Sequence, residues 1–221
     1  MEPQSNYEEF YSKGNWKQNK KIEKLHIKYY LKILGQKNGK ILDVGCGTGL
    51  HTHILTELGY ESTGIDFATS AIKKAQESYC EIKFHVQDAS AINLDETFDF
   101  LYVSGFSLLN TRNYSHVKKL LSHWSGLLKT NGSILIISKT NFSGKAPTGW
   151  IYHTNSEIHY MYQSNNYSTS VYYIHSKLGY LILIPVIGPL LIKPVHIISK
   201  YIIASLFRIP VKTIIIMTKH V

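Results

Sequence analysis

Short apolar runs, each closed by glycine or an acidic residue, alternate with stretches of helical spacing along the first two thirds of the chain. Ile41-Leu42-Asp43-Val44 runs into a turn that holds Gly45, Gly47 and Gly49, and Leu50 to Leu58 follows with one apolar face. That order predicts a buried strand, a tight loop and a helix. Glu61 to Ile65 then precedes the helical Ala71-Ile72-Lys73-Lys74-Ala75, Ile82 to Val86 reads as a third strand, and Phe98 to Ser104 as a fourth. Asn131-Gly132 turns the chain into a fifth strand, Ser133 to Ile137, while Tyr167 to Ser176 and Val211 to Met217 supply two more. Strands alternating with helices predict an α/β domain with a mostly parallel sheet covered on both faces.

The glycine turn narrows the chemistry. Glycine admits φ > 0 and lets the backbone approach a bound molecule without a Cβ in the way. A dinucleotide loop needs a small residue at its sixth position, but counting from Gly45 gives Leu50 and counting from Gly47 gives Thr52. The run Asp43-x-Gly45-x-Gly47-x-Gly49 instead resembles motif I of the class I S-adenosylmethionine-dependent methyltransferases. The resemblance extends from about Gly39 to Ser138, through Gly64-Ile65-Asp66-Phe67, Gln87-Asp88-Ala89, Phe98 to Ser104 and Leu127 to Ile137; Thr130 and Asn131 replace the usual proline and first glycine of the last motif.

This resemblance implies a Rossmann-like fold, seven-stranded and mostly parallel, with an antiparallel last strand. It also implies S-adenosylmethionine as cofactor, cradled by Asp43, Gly45, Gly47 and Gly49. Asp66 would hold the ribose hydroxyls, Phe67 the adenine face, Asp88 and Ala89 the adenine edge, and Ser104 would line the methyl-transfer site. Read without the resemblance, Asp66 also fits a carboxylate at a helix N-terminus, and Asp88 an ordinary turn residue.

A chain of 221 residues supports one domain. Its expected organisation is an N-terminal helical lid over 1–38, a cofactor-binding core over 39–177, an apolar insertion over 178–208 and a closing strand over 209–221. The formal charge of +9 is concentrated late, where eight basic residues from Lys139 onward face the single acidic Glu157. Lys17, Lys20, Lys21, Lys24 and Lys28 form a second basic group at helical spacing, expected as a solvated face. Only Arg112 and Arg208 are arginines, which argues against nucleic acid as partner. Cys46 and Cys80 lack metal-ligand spacing, so no metal is expected and both cysteines read as reduced. The polar start predicts no secretory leader and hence a cytoplasmic protein.

Two segments stand apart from the core pattern. The first, Leu178 to Ile192, is apolar but broken by Gly179, Pro185, Gly188 and Pro189, too short and interrupted for an ordinary membrane-spanning helix, and Val195 to Phe207 continues it with helical spacing. The expected roles are a cap over an acceptor pocket, a patch against an anionic membrane surface, or added core. The second is N-terminal: Tyr11 and Trp16 are aromatic residues in a polar stretch, expected either to close over the cofactor or to anchor a helix.

Methyl transfer needs alignment of nucleophile, methyl carbon and sulfur, plus a base where the acceptor is a hydroxyl. Among His51, His153, His159 and His175, His153 is the candidate base because it follows the fifth strand. Thr154-x-x-Glu157 beside it reads as a capping box. The function expected is O-methylation of a small, apolar or lipid-like molecule. A methyltransferase of RNA or protein, and a cofactor-binding module without catalysis, stand as alternatives.

Overall fold

A computed structural model describes residues 8–9, 11, 13, 19–144, 150–185, 187–207 and 209–220. The helix α1, Lys20–Leu34, starts where the Asn19 side chain accepts from the N–H groups of Lys21 (3.1 Å) and Ile22 (3.3 Å). It stops at Gly35, whose φ of 81° closes the last turn through an N–H to the Leu31 carbonyl. Its basic face is not simply solvated, because Lys20 and Lys24 both reach Glu57, at 2.7 and 2.8 Å.

The strands β1 (Lys40–Val44), β2 (Glu61–Asp66), β3 (Lys83–Val86), β4 (Phe98–Ser104), β5 (Leu128–Thr140), β6 (Tyr167–Ile174) and β7 (Val211–Lys219) form one sheet in the order β3-β2-β1-β4-β5-β7-β6. All pairs are parallel except those made by β7, which runs antiparallel to both β5 and β6. The helices are α2 (Leu50–Glu57), α3 (Thr69–Ser78), α4 (Tyr114–Ser125) and α5 (Asn155–Tyr162), with α1 before β1. One core layer packs Val103, Ile134, Ile136 and Ile215 with Trp124 and Met161 of α4 and α5. The opposite layer packs Tyr102, Leu135, Ile137 and Ile214 with Tyr29, Tyr30 and Ile54 of α1 and α2. The expected Rossmann-like architecture and antiparallel last strand are both present.

Antiparallel neighbours such as β6 and β7 need only a hairpin, yet the chain makes a long excursion between them. It contains α6 (Ser176–Gly179), two 3₁₀ turns (Tyr180–Leu183 and Gly188–Leu191), α7 (Ile192–Ile197) and a π-helix (Ile198–Leu206). Two side chains fasten the excursion to the edge strand: the Tyr173 N–H donates to His196 Nδ1 (2.9 Å) and the His175 N–H to Ser199 Oγ (2.8 Å). These bonds occupy backbone donors that an open sheet edge would present to other chains. The sequence pattern placed an interruption in the first apolar block. That interruption is present after the 3₁₀ turn ending at Leu183, and from Gly188 to Leu206 the chain then continues as one helical run of 19 residues, mean hydropathy 1.3, long and apolar enough to cross a membrane by those measures. Pro189 sits in the first turn of the run, where N–H groups lack helical partners, and Pro194 falls where the 3₁₀ turn passes into α7.

Candidate active site

In an open α/β sheet, ligands bind beyond the carboxyl ends of the strands where the strand order reverses. Here that point lies between β1 and its two neighbours, β2 and β4, where Asp43 is in register with both Gly64 and Tyr102. The glycine turn leaves β1 at this edge. Its N–H groups at Gly45 and Cys46 both donate to the Ile65 carbonyl at 2.9 Å, tying the turn to the end of β2.

The three glycines do different work. Gly45 and Gly47 have φ of 77° and 54°. A Cβ on Gly47 would stand 2.9 Å from the Tyr11 hydroxyl, and one on Gly45 2.7 Å from the Phe106 ring. Gly49, by contrast, turns inward, since a Cβ there would meet Phe84 at 2.7 Å and Ala75 at 3.0 Å. Its bareness lets β3 and α3 close on the loop, whereas at the first two it lets the Phe106 ring and the Tyr11 hydroxyl approach the turn.

Asp66 ends β2 with a buried carboxylate that accepts from the Gly47 N–H and the Ala68 N–H, both at 2.9 Å. The helix-entry role and the cradle role therefore coexist in one side chain. Each carboxylate oxygen keeps a further lone pair, enough for a ribose diol. Burial raises the pKa of Asp66. Asp43 is also buried, and its carboxylate accepts from the Thr52 hydroxyl at 2.7 Å. Burial pushes its pKa up to about 6, opposed by His51 and Thr52.

The Gln87 N–H donates to the Asp66 carbonyl (3.0 Å), bringing the exit of β3 beside β2. Asp88 follows, exposed, and accepts from the N–H and hydroxyl of Ser90, each at 2.8 Å. Ala89 is buried and its carbonyl accepts from the Trp124 indole at 2.7 Å. Phe67 is half-buried directly after Asp66, and Ser104 half-buried at the end of β4. The sequence-predicted cofactor residues thus converge on one edge of the sheet.

Two groups bound this edge. From the N-terminal side, the Glu8 carboxylate accepts from the N–H groups of Thr69 (2.7 Å) and Ser70 (3.0 Å), and Lys74 donates to the Tyr11 carbonyl. Tyr11 is consequently held over Gly47; Trp16 lies outside the described residues. From the other side, Asn110 clasps the backbone of Ile151 with two hydrogen bonds, of 3.0 and 2.9 Å, joining the loop after β4 to the segment after β5.

His153 is in that segment. Its carbonyl accepts from the Thr140 hydroxyl at the end of β5 (2.5 Å), and the capping box of Thr154 and Glu157 follows as the sequence suggests. The imidazole is buried and neither ring nitrogen has a hydrogen-bond partner among the described residues. Burial lowers its pKa, favouring the neutral ring that a base requires. His51 behaves differently, lying edge-on to Tyr102 with Nε2 3.3 Å from Glu23. No local pattern announces Glu8, Glu23 or Asn110, since each acts on an element distant in sequence.

Residues 41–132 match the family described as a methyltransferase domain. The ubiquinone biosynthesis O-methyltransferase of Xanthomonas oryzae pv. oryzae (strain PXO99A) is 26% identical over 119 residues, which cover 52% of this chain and 49% of that protein. The chain spans about half the length of the curated relatives it matches. Among solved structures, the plantazolicin methyltransferase BamL superposes with a TM-score of 0.64 at 15% identity, covering 100% of this chain and 92% of that one. The 4+2 cyclase SpnF superposes at 0.59 with 16% identity, covering 93% and 86%.

Fold and loop together define a nucleotide-cradling α/β protein of the Rossmann-like kind. The family match over residues 41–132 and the fold together support a class I S-adenosylmethionine-dependent methyltransferase, a family whose cofactor is S-adenosylmethionine. The bare backbone at Gly45 and Gly47 and the spare acceptor capacity of Asp66 fit an adenosyl group.

Proposed function

We propose that the chain transfers the methyl group of S-adenosylmethionine to an oxygen of a small, apolar or lipid-like acceptor. The observation that carries the acceptor class is the excursion between β6 and β7. Its buried side chains are few: Ile182, Val195, Ser199 and Ala204 seal it against the core. Outward it presents Leu190 (75% exposed), Leu206 (71%), Phe207 (63%) and Tyr201 (60%), with Ile187, Ile197 and Ile202 between them. Soluble monomers rarely leave so large a contiguous apolar surface uncovered.

Lys177, Lys193 and Lys200 flank this surface, the arrangement that seats an amphipathic helix in the headgroup layer of an anionic membrane. A groove of about 410 Å³ beside it is lined by Tyr172, Leu190, Ile192, Lys193 and His196. We therefore infer a peripheral, membrane-facing enzyme whose acceptor partitions into lipid. The likeness to an O-methyltransferase of ubiquinone biosynthesis agrees with that acceptor class.

His153 is the base in this reading. It would take the proton of an acceptor hydroxyl, while S-adenosylmethionine, held by the glycine turn and Asp66, would supply an electrophilic methyl group whose donor sulfur is left as a neutral thioether. The clasp of Asn110 on Ile151 and the lid at Tyr11 exclude water from this step. Fold alone does not decide the chemistry, because a cyclase shares it. The deciding experiment incubates the chain with methyl-labelled cofactor and vesicles containing a prenylated phenol, followed by flotation. Label in the phenol and protein floating with phosphatidylglycerol vesicles are expected. Label entering RNA or protein alone, or no transfer despite cofactor binding, overturns the reading.

A further inference from the structure

On β5 and β7, Lys139 and Lys212 are direct register partners, so their side chains leave the same face of the sheet. That face also carries Ile137 and Ile214, two residues inward, and it is the face covered by α1. Ile137 is in register with Ser104, which places the lysine pair one step past the end of β4. Strand order then fixes which side of the cradle they occupy. The glycine turn and Asp66 belong to β1 and β2, whereas the lysines lie beyond β4 on the opposite side.

Neither ammonium has a hydrogen bond or ion pair within the described residues, although Lys212 is half-buried. Glu23 is the acidic group nearby, but its carboxylate is turned to His51 (3.3 Å) and His26 (3.7 Å). The hydroxyls of Tyr29 and Tyr30, buried in the same layer, have no partner either. Like charges directly opposite on neighbouring strands destabilise a sheet, and a buried ammonium without a partner adds desolvation cost. Consistently, burial and the adjacent Lys139 pull the Lys212 pKa down to about 8, with Glu23 opposing.

We propose that Lys139 and Lys212 form an anion-binding subsite for a carboxylate or phosphate carried by the methyl acceptor. The subsite rests on the proposed methyl-transfer reading and sharpens it: the acceptor is an amphiphile with an anionic group near its reacting oxygen. An anion there relieves both the lysine repulsion and the desolvation cost, and holds the acceptor on the β5 side of the sulfonium.

The test titrates benzoate and inorganic phosphate into the protein with and without saturating S-adenosylhomocysteine. NMR of ¹³C-dimethylated lysines follows the Lys212 resonance in the wild type and in Lys139→Met, and calorimetry measures anion affinity in the wild type, Lys139→Met and Lys212→Met. Expected are saturable binding of at least one anion, an upward shift of the Lys212 titration, and affinity at least about tenfold weaker in each variant. Lys212→Met should melt no lower than wild type, since it removes an unpartnered charge. If it fails to fold, Lys139→Met, at an exposed position, carries the comparison. Absent binding, equal affinity in the variants, or anion binding abolished by S-adenosylhomocysteine would overturn the subsite, the last by assigning it to the cofactor's own carboxylate. Failure of S-adenosylhomocysteine to bind would overturn the methyl-transfer reading instead.

Discussion

Glu8 and Ser70 are 62 residues apart in sequence, yet the Glu8 carboxylate accepts the Ser70 N–H at 3.0 Å while the Glu8 carbonyl accepts the Ser70 hydroxyl at 3.3 Å. Ala68, the N-cap of α3, has no side chain able to cap, so the N-terminal segment supplies the cap in trans along the chain. Helix capping thereby becomes a latch that holds Tyr11 over Gly47.

Glu8→Ala should release that latch. The lost cap is worth about 1 kcal/mol or less for a partly exposed group, which corresponds to a few-fold weaker cofactor affinity with the fold intact. The bonds to Ser70 lower the Glu8 pKa, so the latch persists at neutral pH and is lost only as pH falls below the ordinary carboxylate range. Calorimetry with S-adenosylhomocysteine and limited proteolysis near Tyr11 measure both effects. Unchanged affinity and cleavage would remove the lid from the account.

Asp66→Ala removes the acceptor offered to the ribose and the two bonds that shape the glycine turn. Cofactor affinity should fall by about 1–3 kcal/mol, read by calorimetry alongside circular dichroism. Equal affinity in a folded variant contradicts the role assigned to Asp66.

Asp43 also bears on stability. Its pKa of about 6 in the folded chain exceeds the ordinary value near 4. Between those pH values the folded chain retains a proton that the unfolded chain has released, so stability falls as pH rises from about 4 to about 6 and the cost persists above. Asp43→Asn keeps an acceptor for the Thr52 hydroxyl and removes that cost. A gain on the order of 2 kcal/mol is expected at pH 7, shrinking below pH 4. Denaturant melts across that range check it, and destabilisation at pH 7 contradicts it.

His153→Gln should lower kcat by about 10²-fold or more with little change in KM for cofactor. Because burial depresses the imidazole pKa, wild-type activity should hold into mildly acidic buffer, falling as the ring gains a proton. A variant with wild-type kcat would show that the acceptor needs no base from this position.

Much of the cradle was legible in the sequence because its determinants are local. Asp43, the glycine turn and the start of α2 lie within a dozen residues, and Asp66 ends, and Asp88 closely follows, a strand that can be read by its own apolar run. The pattern did not reveal that Gly49 serves packing against Phe84 rather than ligand access, since that contact joins β3 to the loop. Glu8 on α3, Glu23 beside His51 and Lys139 opposite Lys212 depend on tertiary pairing and leave no periodic trace. In the excursion, apolar content was readable, but the helical run from Gly188 was obscured by its prolines, of which Pro189 proved to sit in a permitted first-turn position.

The central claim is that the Gly45–Gly49 backbone and Asp66 hold the adenosyl group of the cofactor. A crystal structure of the chain grown with S-adenosylhomocysteine tests it most directly. The nucleoside is expected beyond the ends of β1 and β2, with its ribose hydroxyls on the Asp66 carboxylate and Tyr11 closed above it. Density for the compound at any other place, or none at all under saturating conditions, would contradict the account.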